Sequence, residues 1–280
     1  MIFQAFSHLI IILLAVFPTL AGCQESPAAK PPTHKLVITG SSTIAPLIAD
    51  IAKRFEAQHQ GIRVDVQTGG SSRGVADTRS GLAHIGMVSR TLHSRETVDL
   101  IGTTIAQDGI GLIVHQDNPV TNLSKQQVID VYTGTIANWR SVGGMDAPIV
   151  VVNKAEGRGT LELFLHYFHL SNSAIKADVV IGDNEHGIKT VAGNPRAIAY
   201  VSIGAAASDA SHGVPIKLLH LDTIPASLTM VRNGVFPLSR PLMLVTTKSP
   251  HALAQTFITF AASAHAQDLV AQHYFIPLAS

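Results

Sequence analysis

Residues 36–58 read LVITGSSTIAPLIADIAKRFEAQ, and the change of period inside this stretch decides the fold. LVITG (36–40) is apolar, rich in β-branched residues and closed by glycine, as a short buried strand is. Ser41, Ser42 and Thr43 follow; their hydroxyls accept backbone N–H groups and so favour the start of a helix. Beyond them Ile44, Leu47, Ile48, Ile51 and Phe55 recur at helical spacing. The same unit returns twice. IRVDVQ (62–67) reads as a strand, GGSSRG (69–74) as a turn and VADTRSGLA (75–83) as a helix. IVVVN (149–153), KAEGRGT (154–160) and LELFLHYFHL (161–170) repeat the order. Strands alternating with helices predict an α/β fold with largely parallel sheets.

The turns carry the chemistry. Each places Gly, Ser or Thr where a strand ends and a helix starts, and there backbone N–H groups are unpaired and the helix dipole is positive. Glycine lets the backbone approach a ligand, and hydroxyls add donors. One such turn is ordinary capping. Three are consistent with a shared site for a small oxyanion, which needs many convergent donors, or with three unrelated N-caps.

Composition limits the alternatives. The chain has 280 residues, 46% hydrophobic and 14% charged, so it can build a large core and is not intrinsically disordered over most of its length. Lys+Arg 20 against Asp+Glu 19 gives a net charge of +1. With no basic run, nucleic acid is not expected as a partner. The single cysteine excludes an internal disulfide framework, a cysteine-rich metal site and a redox pair.

That cysteine, Cys23, has a role of its own. LIIILLAVF (9–17) fits the apolar core of a signal peptide and is too short to span a bilayer comfortably. It runs into Leu20-Ala21-Gly22-Cys23, a bacterial lipobox, in which cleavage before cysteine frees a thiol for lipid attachment. The preceding MIFQAFSH departs from the usual pattern in lacking Lys and Arg. Acylated Cys23 would tether an exported protein to a membrane. Gln24 after it fits passage to an outer membrane in a Gram-negative host. ESPAAKPPTH (25–34) reads as a flexible linker.

The strings ITGSSTIAPL (38–47), QTGGSSRGV (67–75), IGMVSR (85–90), DGIGLIVHQDNP (108–119), YTGTIANWRSVGG (132–144), EGRGTLELF (156–164), IAYVSIGAA (198–206) and FIPL (275–278) carry a further reading. In this order, over nearly the whole mature chain, they resemble the phosphate-binding proteins that serve bacterial ABC-type phosphate transporters. The resemblance implies a type II-like two-lobed binding protein, each lobe a mostly parallel sheet flanked by helices, with ligand held between lobes that close by a hinge. Beyond the signal peptide over 1–22 and the linker over 23–34 already read from the residues, it implies a first lobe from 35–112 plus 215–280, and a second from 113–214. The crossover is expected near Gly109–Val114 and the return near Val214–Leu221. PLMLVTT (241–247) and HALAQTFITFAASA (251–264) would rejoin the first lobe as a strand and a helix.

Carried over residue by residue, the resemblance implies ligand contacts from Ser42, Thr43 and Ile44. It adds Ser72 with Arg73 and Gly74 close by, and Arg158, Gly159 and Thr160. Three positions depart from the family. His84 stands where an acidic residue usually precedes the I/F-G pair. Lys154 stands for an arginine, and Arg158 for a serine. Arg158 can supply the bidentate fork that Lys154 cannot. Hydrogen phosphate carries a proton that sulfate lacks, so an acceptor in the cleft favours phosphate. Neutral His84 can accept, and charged His84 can only donate; Glu156 or Asp108 are the other candidate acceptors.

The expectation is an exported binding lipoprotein, monomeric and without cofactor or catalytic residue, that takes inorganic phosphate and hands it to an ABC permease. Sulfate, molybdate, tungstate, arsenate or a phosphonate would fit the same fold. Gly70-Ser71-Ser72-Arg73-Gly74 also matches the G-x-S-x-G nucleophile elbow, which would make Ser72 the nucleophile of a hydrolase. No HGGG-type oxyanion string accompanies it, and a hydrolase does not require two sister turns. His166 and His169 make a possible but unconvincing metal pair, and no metal is expected. Trp139 is expected as a core anchor, and Gly109 and Gly111 as a flexible point at the crossover.

Overall fold

The computed structural model describes residues 34–278; the expected signal segment, Cys23 and the linker up to residue 33 lie outside them. The chain starts with β1 (His34–Gly40), α1 (Ala45–Gln58), β2 (Ile62–Thr68), α2 (Ser71–Ser80) and β3 (Ile85–Val88). Next comes β4 (Leu100–His115), 16 residues without a break. The following segment holds β5 (Asn122–Leu123), α3 (Lys125–Tyr132), β6 (Val150–Lys154), α4 (Gly159–Phe168), β7 (Val179–Ile181) and α5 (Asn184–Ala192). It continues through β8 (Ala197–Ser202), α6 (Ile203–Ser211), β9 (Ile216–Leu218), β10 (His220–Leu221) and α7 (Leu228–Arg232). β11 (Ser239–Thr247), α8 (Ala252–Ala262), α9 (Ala264–Gln272) and β12 (Ile276–Pro277) close the chain.

The strands line up in the order β2-β1-β3-β11-β4-β8-β6-β7. Pairing is parallel at the outer strands, β1 with β2 and β3 and β6 with β7 and β8. It is antiparallel where β11 meets β3 and β4 and where β4 meets β8. β4 belongs to both halves: Leu100–Gly109 pair with β11, and Ile110–Val114 pair with β8.

Separate apolar clusters fill the two lobes. In the first, Ile44, Leu47, Ile48, Ile51 and Phe55, the face read from the spacing of α1, are all fully buried against Leu36, Ile38, Leu244 and Phe257. In the second, Tyr132, Trp139, Phe164 and Tyr200 are buried together. The Trp139 indole N–H donates to Arg196 O at 2.8 Å, so its polar edge is satisfied inside the core.

Three details depart from the expectations. The chain does not return to the first lobe near Val214–Leu221. β9 pairs with β4 from Ile113 to His115, and Leu219, Leu221, Val231, Phe236 and Leu238 pack in the second lobe's cluster. The return is β11, so 216–238 belong with the second lobe. The helix expected over 251–264 is two, divided at Ser263, whose extended backbone ends α8 and whose hydroxyl caps α9 by accepting from His265 N. Gly109 and Gly111, expected as a flexible point at the crossover, do not interrupt the strand. They sit inside β4, where a Cβ would stand 2.7 Å from Ile203 and Val231 side chains at 109 and 2.4 Å from Leu218 at 111. Side chains crowd the space a Cβ would take there.

Candidate functional site

Four helices point their N-termini at one small cavity. The lining comes from the residues just before α1 (Ser41, Ser42, Thr43), the start of α2 (Gly70, Ser71), the residue after β3 (Ser89), the turn into α4 (Lys154, Arg158, Gly159, Thr160) and the turn into α5 (Gly182, Asn184). The first three groups belong to one lobe and the last two to the other. Positive helix ends and hydroxyls therefore converge from both sides, as a small anion requires.

The cavity wall is organised by hydroxyls. Ser41 Oγ donates to Ser89 Oγ at 3.0 Å and accepts from Thr43 N at 3.2 Å. Ser89 N donates to Ser71 Oγ at 3.1 Å. Across the cleft, Asn184 Nδ2 donates to Thr43 Oγ1 at 3.4 Å. Two glycines allow the lobes to meet so closely. A Cβ at Gly159 would lie 2.5 Å from Ser71 Oγ, and one at Gly70, whose φ is +98°, would lie 2.5 Å from Gly157 O.

Two cations line this wall, and no carboxylate does. The Arg158 guanidinium has no hydrogen-bond or ion-pair partner among the described residues, and its Nε is buried without one. Lys154 is 2% exposed. Its ammonium donates to Asp183 O at 2.7 Å and to Asn184 Oδ1 at 3.1 Å, both uncharged acceptors. Burial, followed by the nearby Arg240 charge and then Arg158, pulls the Lys154 pKa down to about 7, with Asp183 acting in the opposite direction. Behind the lining, Arg240 donates to Asp108 Oδ2 at 2.8 Å and to Thr160 Oγ1 at 2.9 Å, fixing that hydroxyl.

A second polar centre joins the lobes beside the cavity. Glu162 on α4 accepts from Ser72 Oγ at 2.7 Å and contacts the Arg90 guanidinium and His93 Nε2. Arg90 also grips Glu96 in a fork of 2.7 and 2.9 Å. Ser72 N donates to Gly157 O at 3.1 Å, another bond across the cleft.

Of the residues singled out from sequence, Ser42, Thr43, Arg158, Gly159 and Thr160 line the cavity. Ile44 is buried in the first lobe's apolar cluster. Ser72 faces Glu162, because α2 starts at Ser71 and the two serines therefore lie about 100° apart around its axis. Arg73 points outward to Asp77 and Thr68 O. Gly74 packs against Met87 O and Thr39 O, where no Cβ fits. His84 is also away from the cavity: its Nδ1 accepts from Val37 N at 3.0 Å, and its N donates to Val37 O at 2.9 Å. The imidazole thus extends the pairing of β1 with β3 by one step. Asp108 is bound by Arg240, and Glu156 accepts from Asn172, so neither lines the wall.

Ser41, Gly70, Ser71, Ser89, Lys154, Gly182 and Asn184 complete the lining without having been assigned from sequence. Gly182 and Asn184 come from a fourth strand-to-helix turn, VVIGDNEHG (179–187), with the same signal as the other three. Ser72 shows no sign of an activated nucleophile, since its hydroxyl proton goes to Glu162 and not to an imidazole.

Known proteins share this architecture. A family model for the PBP superfamily domain matches residues 25–265. The phosphate-binding protein PstS of Bacillus subtilis is 27% identical over 248 residues, covering 87% of this chain and 80% of that protein. The crystal structure of a phosphate ABC transporter substrate-binding protein from Clostridium perfringens, with phosphate bound, superposes with a TM-score of 0.81 at 30% identity. It covers 88% of this chain and 100% of that one. An ABC-type phosphate transport receptor from Vibrio cholerae gives a TM-score of 0.73 at 29% identity, over 87% and 100% of the two chains. Matched along most of its length in sequence and fold, the chain belongs to the PBP superfamily, with the two-lobed architecture of the phosphate-binding members.

Proposed function

We propose that this chain is the phosphate-binding component of an ABC transporter and holds inorganic phosphate between its lobes. One observation carries the reading. Arg158 and Lys154 face a cavity where four helix N-termini converge and no carboxylate balances them. Burying a cation without a charged partner is costly; Lys154 is buried against neutral acceptors only and the half-buried Arg158 has its Nε unpaired, which supports a counter-ion that arrives from solution. A tetrahedral oxyanion meets that need with several acceptor oxygens, and a bidentate guanidinium suits its geometry. The relatives that bind phosphate make phosphate the first candidate.

The reading extends to an exported monomer, lipid-anchored at Cys23, that delivers its ligand to a permease and has no catalytic residue. Among the described residues no helix is long and apolar enough to cross a membrane. In this reading the anchor is Cys23 in the N-terminal segment; mass spectrometry of the membrane-bound protein tests it through a diacylglyceryl group on Cys23.

A second reading keeps the fold and changes the anion, because the wall offers no carboxylate to accept the proton that separates hydrogen phosphate from sulfate. Titration calorimetry on protein freed of bound anion, with phosphate, sulfate and molybdate in turn, decides between them. Tight binding of phosphate at one per chain supports the first reading. Preference for a proton-free oxyanion replaces it with the second, and absence of heat with all three removes both.

A further inference from the structure

Lys154 differs from the other buried charges of the molecule. Its Nζ has two of its three hydrogen-bonding directions taken by neutral acceptors, Asp183 O and Asn184 Oδ1, and the residue lines the cavity at 2% exposure. The charged groups acting on it come from three directions. Arg240 on β11 and Arg158 at the start of α4 oppose its charge, and Asp183 ahead of α5 supports it. Asp108 on β4 is committed to Arg240, and Tyr200 on β8 accepts only the Lys154 backbone N–H, at 3.3 Å. The protein therefore buries this lysine near two arginines, gives it only uncharged hydrogen-bond partners and leaves it no water-exposed refuge.

We propose that anion binding at this cavity is coupled to proton uptake at Lys154 Nζ, the empty site holding the amine and the filled site the ammonium. The inference rests on the oxyanion reading given above. Solvent supplies the proton to the nitrogen lone pair, and the new N–H then donates to an anion oxygen in the remaining direction. The bound anion is the counter-ion that the protein itself withholds. Burial and the two arginines place the empty-state pKa at about 7, within reach of physiological change, whereas an anion beside the nitrogen raises it. Linkage then requires apparent affinity to fall by up to about tenfold per pH unit above the empty-state pKa. An arginine in the same position would carry its charge at every working pH and show no such dependence.

Two measurements test this. The first is calorimetric titration of inorganic phosphate at pH 8.5 in buffers of different ionisation enthalpy, on wild type and Lys154→Arg. The expected result is uptake of close to one proton per phosphate in wild type and much less in the variant. Phosphate binding with no proton uptake in wild type overturns the proposal and leaves the ligand assignment standing. Equal uptake in both proteins also overturns it, by placing the proton elsewhere. The second needs no variant and no binding: NMR of protein labelled with ¹³C in lysine Cε, titrated in the anion-free state. One lysine is expected to titrate near neutrality and to move up by at least one unit when phosphate is added. If every lysine titrates near its ordinary value, the proposal fails whatever binds. If phosphate gives no heat at any pH, the ligand assignment fails, and the anion-free titration still judges Lys154.

Discussion

Two cationic centres lie side by side between the lobes, and they are built on opposite plans. Around Arg90 each charge has its partner: Glu96 takes a two-pronged grip, and Glu162 reaches over from the other lobe. Arg240 and Asp108, at 1% and 0% side-chain exposure, form a similarly closed pair. At the cavity, Arg158 has no partner among the described residues and Lys154 has only neutral ones. Burying a charge requires compensation. The first centre finds it within the chain; the second leaves it open, as the proposed anion site requires. Residue type alone does not distinguish them, since both use arginine at a helix or strand end. The placement of carboxylates does.

The sharpest way to break this comparison is to remove a partner from the closed side. Asp108→Asn leaves Arg240 buried and unbalanced, and unfolding in urea is expected to show a loss of about 3–5 kcal/mol. Arg158→Gln should do the reverse. It removes an unpaired cation, so empty-protein stability should hold or rise slightly. Phosphate affinity should fall about 10- to 100-fold, the loss of roughly 1.5–3 kcal/mol expected for a charged hydrogen bond. Calorimetry and thermal melting on the same variant check both halves; a large stability loss would place Arg158 in the scaffold.

Glu162→Gln tests the junction. Its loss deprives Arg90 and Ser72 of a cross-lobe partner and should cost about 1–2 kcal/mol in urea unfolding, with a few-fold weaker phosphate binding if the contact helps hold the lobes together. An unchanged phosphate affinity would confine Glu162 to fold maintenance. The smallest effect is expected in acid. Burial raises the Glu96 carboxyl, but the Arg90 fork and the His93 N–H outweigh it and leave the pKa below the ordinary 4.5. The folded value lies below the unfolded one. The stability from this group is therefore complete above about 4.5 and lost as pH falls through the folded value, at about 1.4 kcal/mol per unit of separation. Comparing acid unfolding of wild type and Glu96→Gln isolates it: the variant's curve should be flatter below pH 4.5.

Much of this arrangement is legible before any coordinates. Strand, Gly/Ser/Thr turn and helix is a local pattern, so three of the four turns at the cavity, and the buried face of α1, can be read directly. What is not legible depends on distance or on single-residue registers. Ser71 rather than Ser72 lines the wall because α2 begins at the first of two consecutive serines, which turns the second about 100° away around the helix. His84 turns to Val37 because β3 sits beside β1 in one register, which the sequence near residue 84 does not state. Gly182-Asp183-Asn184 carries the turn signal, but the strand before it has only three residues and offers little period to notice. The return to the first lobe is missed for a related reason. β9, β10 and α7 are 3, 2 and 5 residues long, and their membership in the second lobe is decided by packing against β4.

β4 itself has a mechanical consequence. At about 3.3 Å per residue, its 16 residues run through both lobes with one irregularity of register against β11, between Leu242 and Met243, and side chains of Ile203, Val231 and Leu218 crowd its two central glycines. A relative rotation of the lobes about this shared strand would displace the surfaces farthest from it most, which is where a partner protein would read it.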